Sequence, residues 1–236
     1  MNFDLVIPFL WYVVFVFSVT FHEAAHAWAA MKGGDMTAYL GGQVSLDPIP
    51  HIRREPIGML IVPLASVFLT DLHIPIGWAS TPYNQAWAML YPRRSAWMAL
   101  AGPMSNLILV FVSMVIVWIC LLQGLFVIPS PEDLVLPLTV VKGVEPGFIQ
   151  NFAMLVGMLF FENVLLSVLN MIPLPPFDGS SAITLLMTRR MGEKFRAFAW
   201  NPAFSMMGII VAIVIFPRVF WPVYIFIVKI LYPWIW

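Results

Sequence analysis

Residues 5–30 read LVIPFLWYVVFVFSVTFHEAAHAWAA, an apolar run that carries no charge as far as Phe21 and ends in His22, Glu23 and His26. Crossing about 30 Å of hydrocarbon takes roughly 20 apolar residues in a helix. The stretch is long enough for that. It predicts a membrane-spanning helix whose polar residues lie at its carboxyl-terminal end.

The composition of the whole chain also indicates a membrane protein. Of 236 residues, 61% are hydrophobic and only 10% are charged, whereas soluble domains carry about 25% charged residues. Too few polar side chains remain to cover a surface in water, which excludes a soluble globular fold. The zero net charge without a basic stripe excludes a nucleic-acid partner. Cys120 is the single cysteine, so a disulfide framework and a cysteine-based metal site are excluded as well.

Two further apolar runs predict spanning helices. One is uncharged and contains Pro103, and the other is apolar except for Glu162. We therefore predict an all-α polytopic membrane protein, a single domain over residues 1–236, with a three-helix core. The predicted core spans are about 4–31, 95–127 and 151–173.

Three weaker segments complete the predicted architecture. Two short strand-like pieces around Gly41-Gly42 predict a small β-hairpin or bent strand over about 38–48. The segment 57–78 is apolar but holds prolines, Asp71 and His73, so we expect it to be re-entrant or peripheral. The apolar residues 204–236 are divided by Pro217-Arg218, and we expect them to form a C-terminal helical hairpin.

The polar cluster at the end of the first span has the spacing of a metal site. His22 and His26 are four residues apart and lie on one helical face, about 6 Å from each other, which lets two imidazoles bind one zinc ion. Glu23 points away from that pair but can reach a water molecule there, as in the His-Glu-x-x-His pattern of zinc metalloproteases. Ionisable residues at a membrane helix are costly unless they bind or pair, so function is the default interpretation.

A catalytic zinc site usually has a third protein ligand and an open position for water. His51 and His73 have no partner spacing and fit polar loop residues better. Asp178 stands out because it follows the third predicted span directly, in a proline-stiffened stretch that cannot continue the helix. We expect Asp178 to be the third ligand. The other candidate acids are Asp35, Asp47, Asp71 and Glu162, and the role of Glu162 stays open.

Several motifs occur in a fixed order along residues 20–185. They are His22-Glu23-x-x-His26, Gly34-Asp35, Gly41-Gly42, Asp47-Pro48, Ala101-Gly102-Pro103-x-x-Asn106 and Asn170-x-x-Pro173-x-Pro-Pro-x-Asp178-Gly179. This order resembles the site-2 protease family of intramembrane zinc metalloproteases.

That resemblance implies a zinc endopeptidase that cleaves a peptide bond within or near a transmembrane segment of a membrane-protein substrate. It implies one Zn²⁺ per chain, with His22, His26 and Asp178 as ligands and Glu23 as the catalytic acid and base. Asn106 and Asn170 would flank the substrate near the metal. The implied partners are the substrate and the lipid bilayer.

The proposed site makes a demand on the topology that does not depend on the family. The histidine pair and Asp178 both lie at the carboxyl-terminal ends of their spans, so those two spans must run in the same direction. Because the predicted span 95–127 crosses the membrane once between them, segment 57–78 must return to the side on which it starts. The loops on the site's side hold nine of twelve basic residues, whereas loop 128–151 holds only Lys142. The positive-inside rule then predicts a site near the cytoplasmic face of the cell membrane, with the N-terminus outside.

Two other function classes stay open at this point. A membrane transporter of metal ions or protons would also bury ionisable residues, although it would spread them along several spans, and only Glu162 fits that expectation. A non-catalytic zinc-binding scaffold is the second alternative, although such a site would not need Glu23.

Overall fold

The computed structural model describes residues 6–69, 74–130, 133–135, 139–199 and 201–235, and its architecture is almost entirely helical. In chain order the helices are α1 (Val6–Lys32), α2 (Thr37–Leu40), α3 (Pro48–Arg54), α4 (Ile57–Leu69), α5 (Gln85–Leu90), α6 (Pro92–Leu122), α7 (Phe148–Asn170), α8 (Asp178–Ala182), α9 (Arg189–Ala199) and α10 (Pro202–Leu231). A two-residue strand pair, β1 (Phe126–Val127) with β2 (Lys142–Gly143), is antiparallel and closes the loop before α7.

Four helices, α1, α6, α7 and α10, are long and apolar enough to cross a membrane. The prediction of an all-α polytopic membrane protein is therefore confirmed, and the chain is an integral membrane protein. The predicted bounds at residues 4, 5 and 236, like Asp71 and His73, lie outside the described residues.

The centre of the molecule is the packing of α6 against both α1 and α7. Apolar side chains fill most of this core, among them Trp11, Met114 and Phe160. Because lipid is as apolar as the core, polar contacts help to hold membrane helices together. One such contact is the hydrogen bond from Ser167 Oγ of α7 to the Pro103 carbonyl of α6, at 3.1 Å. These contacts fix the helices that carry the motif residues.

The segment after α3 begins and ends at neighbouring positions in the structure. Helix α4 consists of a five-residue π-helical turn and an eight-residue α-helix, which is too short to cross a bilayer. The Trp78 N–H donates a hydrogen bond of 3.1 Å to the Gly58 carbonyl, so the two limbs of the segment meet. A Cβ on Gly58 would collide with the Trp78 backbone and indole. The close approach therefore needs glycine, and its geometry is the return that the site requires.

The predicted β-hairpin over 38–48 is wrong. The segment instead contains the one-turn helix α2 and leads into α3. Asp35 accepts a hydrogen bond from the Thr37 N–H at the start of α2, and Asp47 accepts one from the Ile49 N–H at the start of α3, each at 3.0 Å. Asp47-Pro48 is therefore a helix start, with the aspartate as cap and the proline in the first turn.

The predicted C-terminal helical hairpin is also wrong. Helix α10 runs without a break from Pro202 to Leu231 through Pro217 and Pro222. Prolines of this kind are tolerated in membrane helices because neighbouring groups satisfy the freed backbone. The pair Pro217-Arg218 therefore does not turn the chain, and this region supplies one helix long enough to span, a number that the sequence leaves open.

Candidate metal centre

Three atoms that can bind a metal converge where α1 and α8 meet. The Nε2 atoms of His22 and His26 lie 2.9 Å apart. Asp178 Oδ2 lies 3.1 Å from the first and 3.2 Å from the second. The two histidines are one helical turn apart on α1, and the carboxylate comes from 152 residues further along the chain than His26. The structure thus brings together the three side chains that we predicted from the sequence as ligands.

The second nitrogen of each imidazole faces a hydrogen-bond acceptor. His22 Nδ1 lies 2.5 Å from Asn106 Oδ1, and His26 Nδ1 lies 2.7 Å from the Met98 carbonyl. Each Nδ1 therefore carries the proton and donates it. When the imidazoles are neutral, as metal binding requires, both Nε2 atoms in consequence present a lone pair towards Asp178.

This arrangement fits a bound cation. Two Nε2 lone pairs and a carboxylate oxygen repel each other when they stand about 3 Å apart, and a positive ion between them turns that repulsion into attraction. Tetrahedral ligands that lie about 2.0–2.1 Å from zinc are separated by roughly 3.3 Å, close to the 2.9, 3.1 and 3.2 Å seen here. Two histidines and one acid are also an ordinary ligand set for catalytic zinc.

The carboxylate of Asp178 belongs to the first turn of α8, directly beyond the proline-rich turn that follows α7. Burial acts to raise the pKa of Asp178. When no cation is bound, the charge of a protonated His26 and hydrogen bonds from both imidazoles outweigh burial and lower this pKa below its ordinary value. A bound cation would take the place of those protons beside the ionised carboxylate, and a metal ligand must be ionised.

Glu23 is the acid that stands beside this cluster. It offers a carboxylate oxygen within 4.8 Å of ligand atoms of His22 and His26, and only 5% of the residue is exposed. Thr81 Oγ1 lies 2.7 Å from Glu23 Oε2 and can donate to it. The other carboxylate oxygen has no hydrogen-bond partner in the part of the chain that the structure describes. Glu23 is thus anchored through one oxygen, and the other is left for a ligand.

Gly102 of α6 lies directly against the two imidazoles. A Cβ built on it would stand 2.5 Å from His22 Nε2 and even closer to His26 Nε2. No larger residue fits without moving the histidines. The glycine of the Ala-Gly-Pro motif therefore provides the space that the two imidazoles occupy.

A cavity of about 780 Å³ opens onto the site. Its walls include His22, Glu23, His26 and Asp178, and Asn170 also lines it. Within the described residues, the Asn170 side chain has no partner, so its amide is free to meet a ligand.

Asn106 does not line the cavity and is fully buried behind His22. The family resemblance implied the same place beside a substrate for Asn106 and Asn170, and of the two only Asn170 lines this cavity. His51 lies away from the cluster, with Nε2 3.1 Å from the Ser45 carbonyl.

Sequence reasoning missed Thr81, Met98 and Asn163, all of which contact the site or its supports. Asn163 carried a usable signal, because a polar side chain in the middle of an apolar span is functional by default. The sequence holds no comparable signal for Thr81 or for the Met98 carbonyl. Glu162, next to Asn163, is 1% exposed, and its Oε2 has no hydrogen-bond partner among the residues described.

Comparisons with known proteins agree with this picture. Residues 10–215 match the sequence model of a family described as "Peptidase family M50". The Bacillus subtilis (strain 168) protein called "Putative zinc metalloprotease YwhC" is 29% identical over 168 residues, which are 71% of this chain and 64% of the relative. The chain thus matches less than two thirds of that relative's length. No solved structure matches the chain.

Proposed function

The chain belongs to peptidase family M50, the site-2 protease family, and from that premise we propose that it is an intramembrane zinc endopeptidase. It hydrolyses a peptide bond within or near a transmembrane segment of a membrane-protein substrate, in the manner of regulated intramembrane proteolysis. The observation that carries the proposal is the convergence of three acceptor atoms beside Glu23.

His22, His26 and Asp178 would hold one zinc ion. When bound, zinc supplies a nucleophile at neutral pH by acidifying water, and it polarises the scissile carbonyl. The donor set supports this role because all three atoms present lone pairs to one point. The relative's name as a zinc metalloprotease is in line with it.

The remaining residues have tasks of their own. Glu23 accepts the proton of the attacking water and returns it to the leaving amine. Thr81 holds that carboxylate in place through Oε2. Asn170, which lines the cavity with a free amide, donates a hydrogen bond to the substrate's carbonyl oxygen and stabilises the negative charge that develops there.

The membrane setting supports a substrate that is itself in the membrane. The histidines lie on a helix long and apolar enough to span, so a peptide bond reaches them from within or beside the bilayer. The nine basic residues on the site's side favour a site near the cytoplasmic face of the cell membrane, with the N-terminus outside. A single span in α10 then leads the chain back to the outside.

The experiment is cleavage of a single-span substrate in proteoliposomes by wild type and by the variant Glu23→Gln. We expect the variant to lose cleavage while it keeps its zinc, because the glutamine cannot accept the proton. Glu145→Gln is the control, since it removes an exposed carboxylate in the loop before α7. Undiminished cleavage by Glu23→Gln contradicts the mechanism. A wild type that binds zinc and cleaves none of a panel of single-span substrates indicates the non-catalytic scaffold.

The ligand set has its own test. Asp178→Ala removes one of three acceptors, so the affinity for zinc in a chelator competition should fall by at least tenfold. Unchanged zinc affinity would exclude Asp178 from the site.

A further inference from the structure

A chain of buried amides connects α7 to the proposed metal centre. Asn106 Nδ2 donates a hydrogen bond to Asn163 Oδ1 at 2.7 Å, and Asn106 Oδ1 accepts a hydrogen bond from His22 Nδ1. Both asparagines are fully buried. The side chains of α7, α6 and α1 therefore contact each other in sequence, and the last of them is a candidate zinc ligand.

Backbone carbonyls fix the directions of these hydrogen bonds: that of Leu159 accepts from the Asn163 amide, and that of Ser18, 3.4 Å from Asn106 Nδ2, accepts more weakly from the Asn106 amide. The Leu159 carbonyl and Ser18 Oγ receive the two Nδ2 hydrogens of Asn163, at 2.8 and 2.9 Å. A backbone carbonyl can only accept. The Asn163 amide is consequently held with its nitrogen towards Leu159 and its oxygen towards Asn106.

The same logic fixes the next two groups. A flipped Asn106 amide would set its oxygen against the oxygen of Asn163 and would present an N–H group to His22. The imidazole would then have to carry its proton on Nε2, the atom that faces Asp178. A protonated Nε2 cannot bind a metal ion.

We propose that Asn163 is a positioning residue of the metal centre: it holds the Asn106 amide in the orientation that keeps the lone pair of His22 Nε2 available to zinc. This inference rests on the proposed zinc site and adds a residue of α7 that contacts neither metal nor substrate. Outer groups that orient a metal-binding histidine typically change metal affinity 10–100-fold when they are removed.

The helix provides a matched control one turn away. Ser167 is also buried, also lies on α7 and also bonds to α6, but its partner is the Pro103 carbonyl. Ser167→Ala removes a polar contact between the same two helices without touching the path to His22. It therefore separates a general packing effect from the specific one.

The test measures zinc affinity by chelator competition, and the visible spectrum after cobalt substitution, on full-length protein in detergent. We expect Asn163→Leu to lower zinc affinity by 10–100-fold and to change the cobalt spectrum, whereas Ser167→Ala stays within about threefold of wild type. Asn163→Asp keeps an oxygen that accepts from Asn106 but loses the N–H groups that bond to Leu159 and Ser18, so it should bind zinc more tightly than Asn163→Leu and less tightly than wild type. Asn163→Ala removes the same amide without adding bulk and replaces the leucine variant if that protein does not fold.

The outcomes separate the inference from its premise. If wild type binds no zinc, the proposed site fails, and the inference fails with it. If wild type binds zinc and the leucine or alanine variant binds as tightly as Ser167→Ala, only the inference is overturned. It is also overturned if Asn163→Asp loses as much affinity as the variant that lacks the amide, because the acceptor oxygen would then have no role.

Discussion

The sharpest prediction concerns Gly102, which faces both candidate histidine ligands. Gly102→Ala adds a single methyl group at a point 2.5 Å from His22 Nε2 and still closer to His26 Nε2. Carbon atoms in ordinary contact stand about 3.5–4.0 Å apart. The imidazoles would therefore have to move by about 1 Å, or α6 would have to move away from α1.

The effect on the metal should be much larger than the effect on folding. Metal sites hold their ligands to within about 0.2 Å of preferred distances, so a shift near 1 Å removes at least one ligand from reach. Overpacking costs about 1–3 kcal/mol of folding free energy, and alanine returns up to about 1 kcal/mol in helix propensity over glycine. We expect at most about 2 kcal/mol of destabilisation, but at least a hundredfold loss of zinc affinity.

The assay compares zinc affinity and thermal unfolding for wild type, Gly102→Ala and Gly157→Ala. Gly157 also lies in a spanning helix, but the nearest neighbour of an added Cβ there is 3.7 Å away. The control should fold and bind zinc as wild type does. If Gly102→Ala retained wild-type zinc affinity, the imidazoles would not need the space above Gly102, and the proposed metal position would be wrong.

Two more predictions concern Thr81, which contacts Glu23, and Asp35, which holds the start of α2. Thr81→Val removes the hydroxyl that anchors Glu23, so we expect kcat to fall about tenfold, as for loss of one orienting hydrogen bond of about 1.4 kcal/mol, with zinc content unchanged; an unchanged kcat would remove Thr81 from the mechanism. Burial acts to raise the pKa of Asp35, but the hydrogen bonds from Thr37 and from the Asn84 N–H outweigh it and lower this pKa below 3.8. The ionised carboxylate thus stabilises the fold at neutral pH, and that contribution disappears as the pH falls through the lowered value. Asp35→Asn should cost about 1–3 kcal/mol at pH 7 in thermal unfolding and progressively less in acid; a difference independent of pH would contradict the hydrogen-bond explanation.

The cluster of His22, His26 and Asp178 is accessible to sequence reasoning because local geometry determines most of it. His22 and His26 share a face of any helix that contains them, whatever the rest of the chain does. Asp178 required only that two spans run in the same direction and that prolines end the helix before it. Each step depends on chain connectivity and not on how helices are rotated against each other.

Which residues contact the cluster from behind depends on how the helices are rotated against each other. Asn163 meets Asn106 only because α7 presents one particular face to α6, and no spacing within either helix contains this information. Thr81 lies in a stretch without regular structure, so its approach to Glu23 follows from tertiary contacts alone.

The two wrong elements had a different origin. Gly41-Gly42 was interpreted as a strand turn, although Asp35 and Asp47 mark helix starts on either side of it. The division at Pro217-Arg218 gives Pro217 the weight that a proline has in water. A membrane helix accommodates such a proline, so a proline-arginine pair is weak evidence for a turn in an apolar segment.

Trp78 is hydrogen-bonded to Gly58, so the position of the residues that follow Trp78 does not depend on how many residues lie between these two. Thr81 follows Trp78 by three residues, so its place beside Glu23 is set from Gly58 and not by the number of residues between the two limbs. Insertions or deletions between Gly58 and Trp78 that keep this hydrogen bond leave the partner of Glu23 where it is. The length of the intervening segment can therefore vary in evolution while the chemistry of the site stays constant.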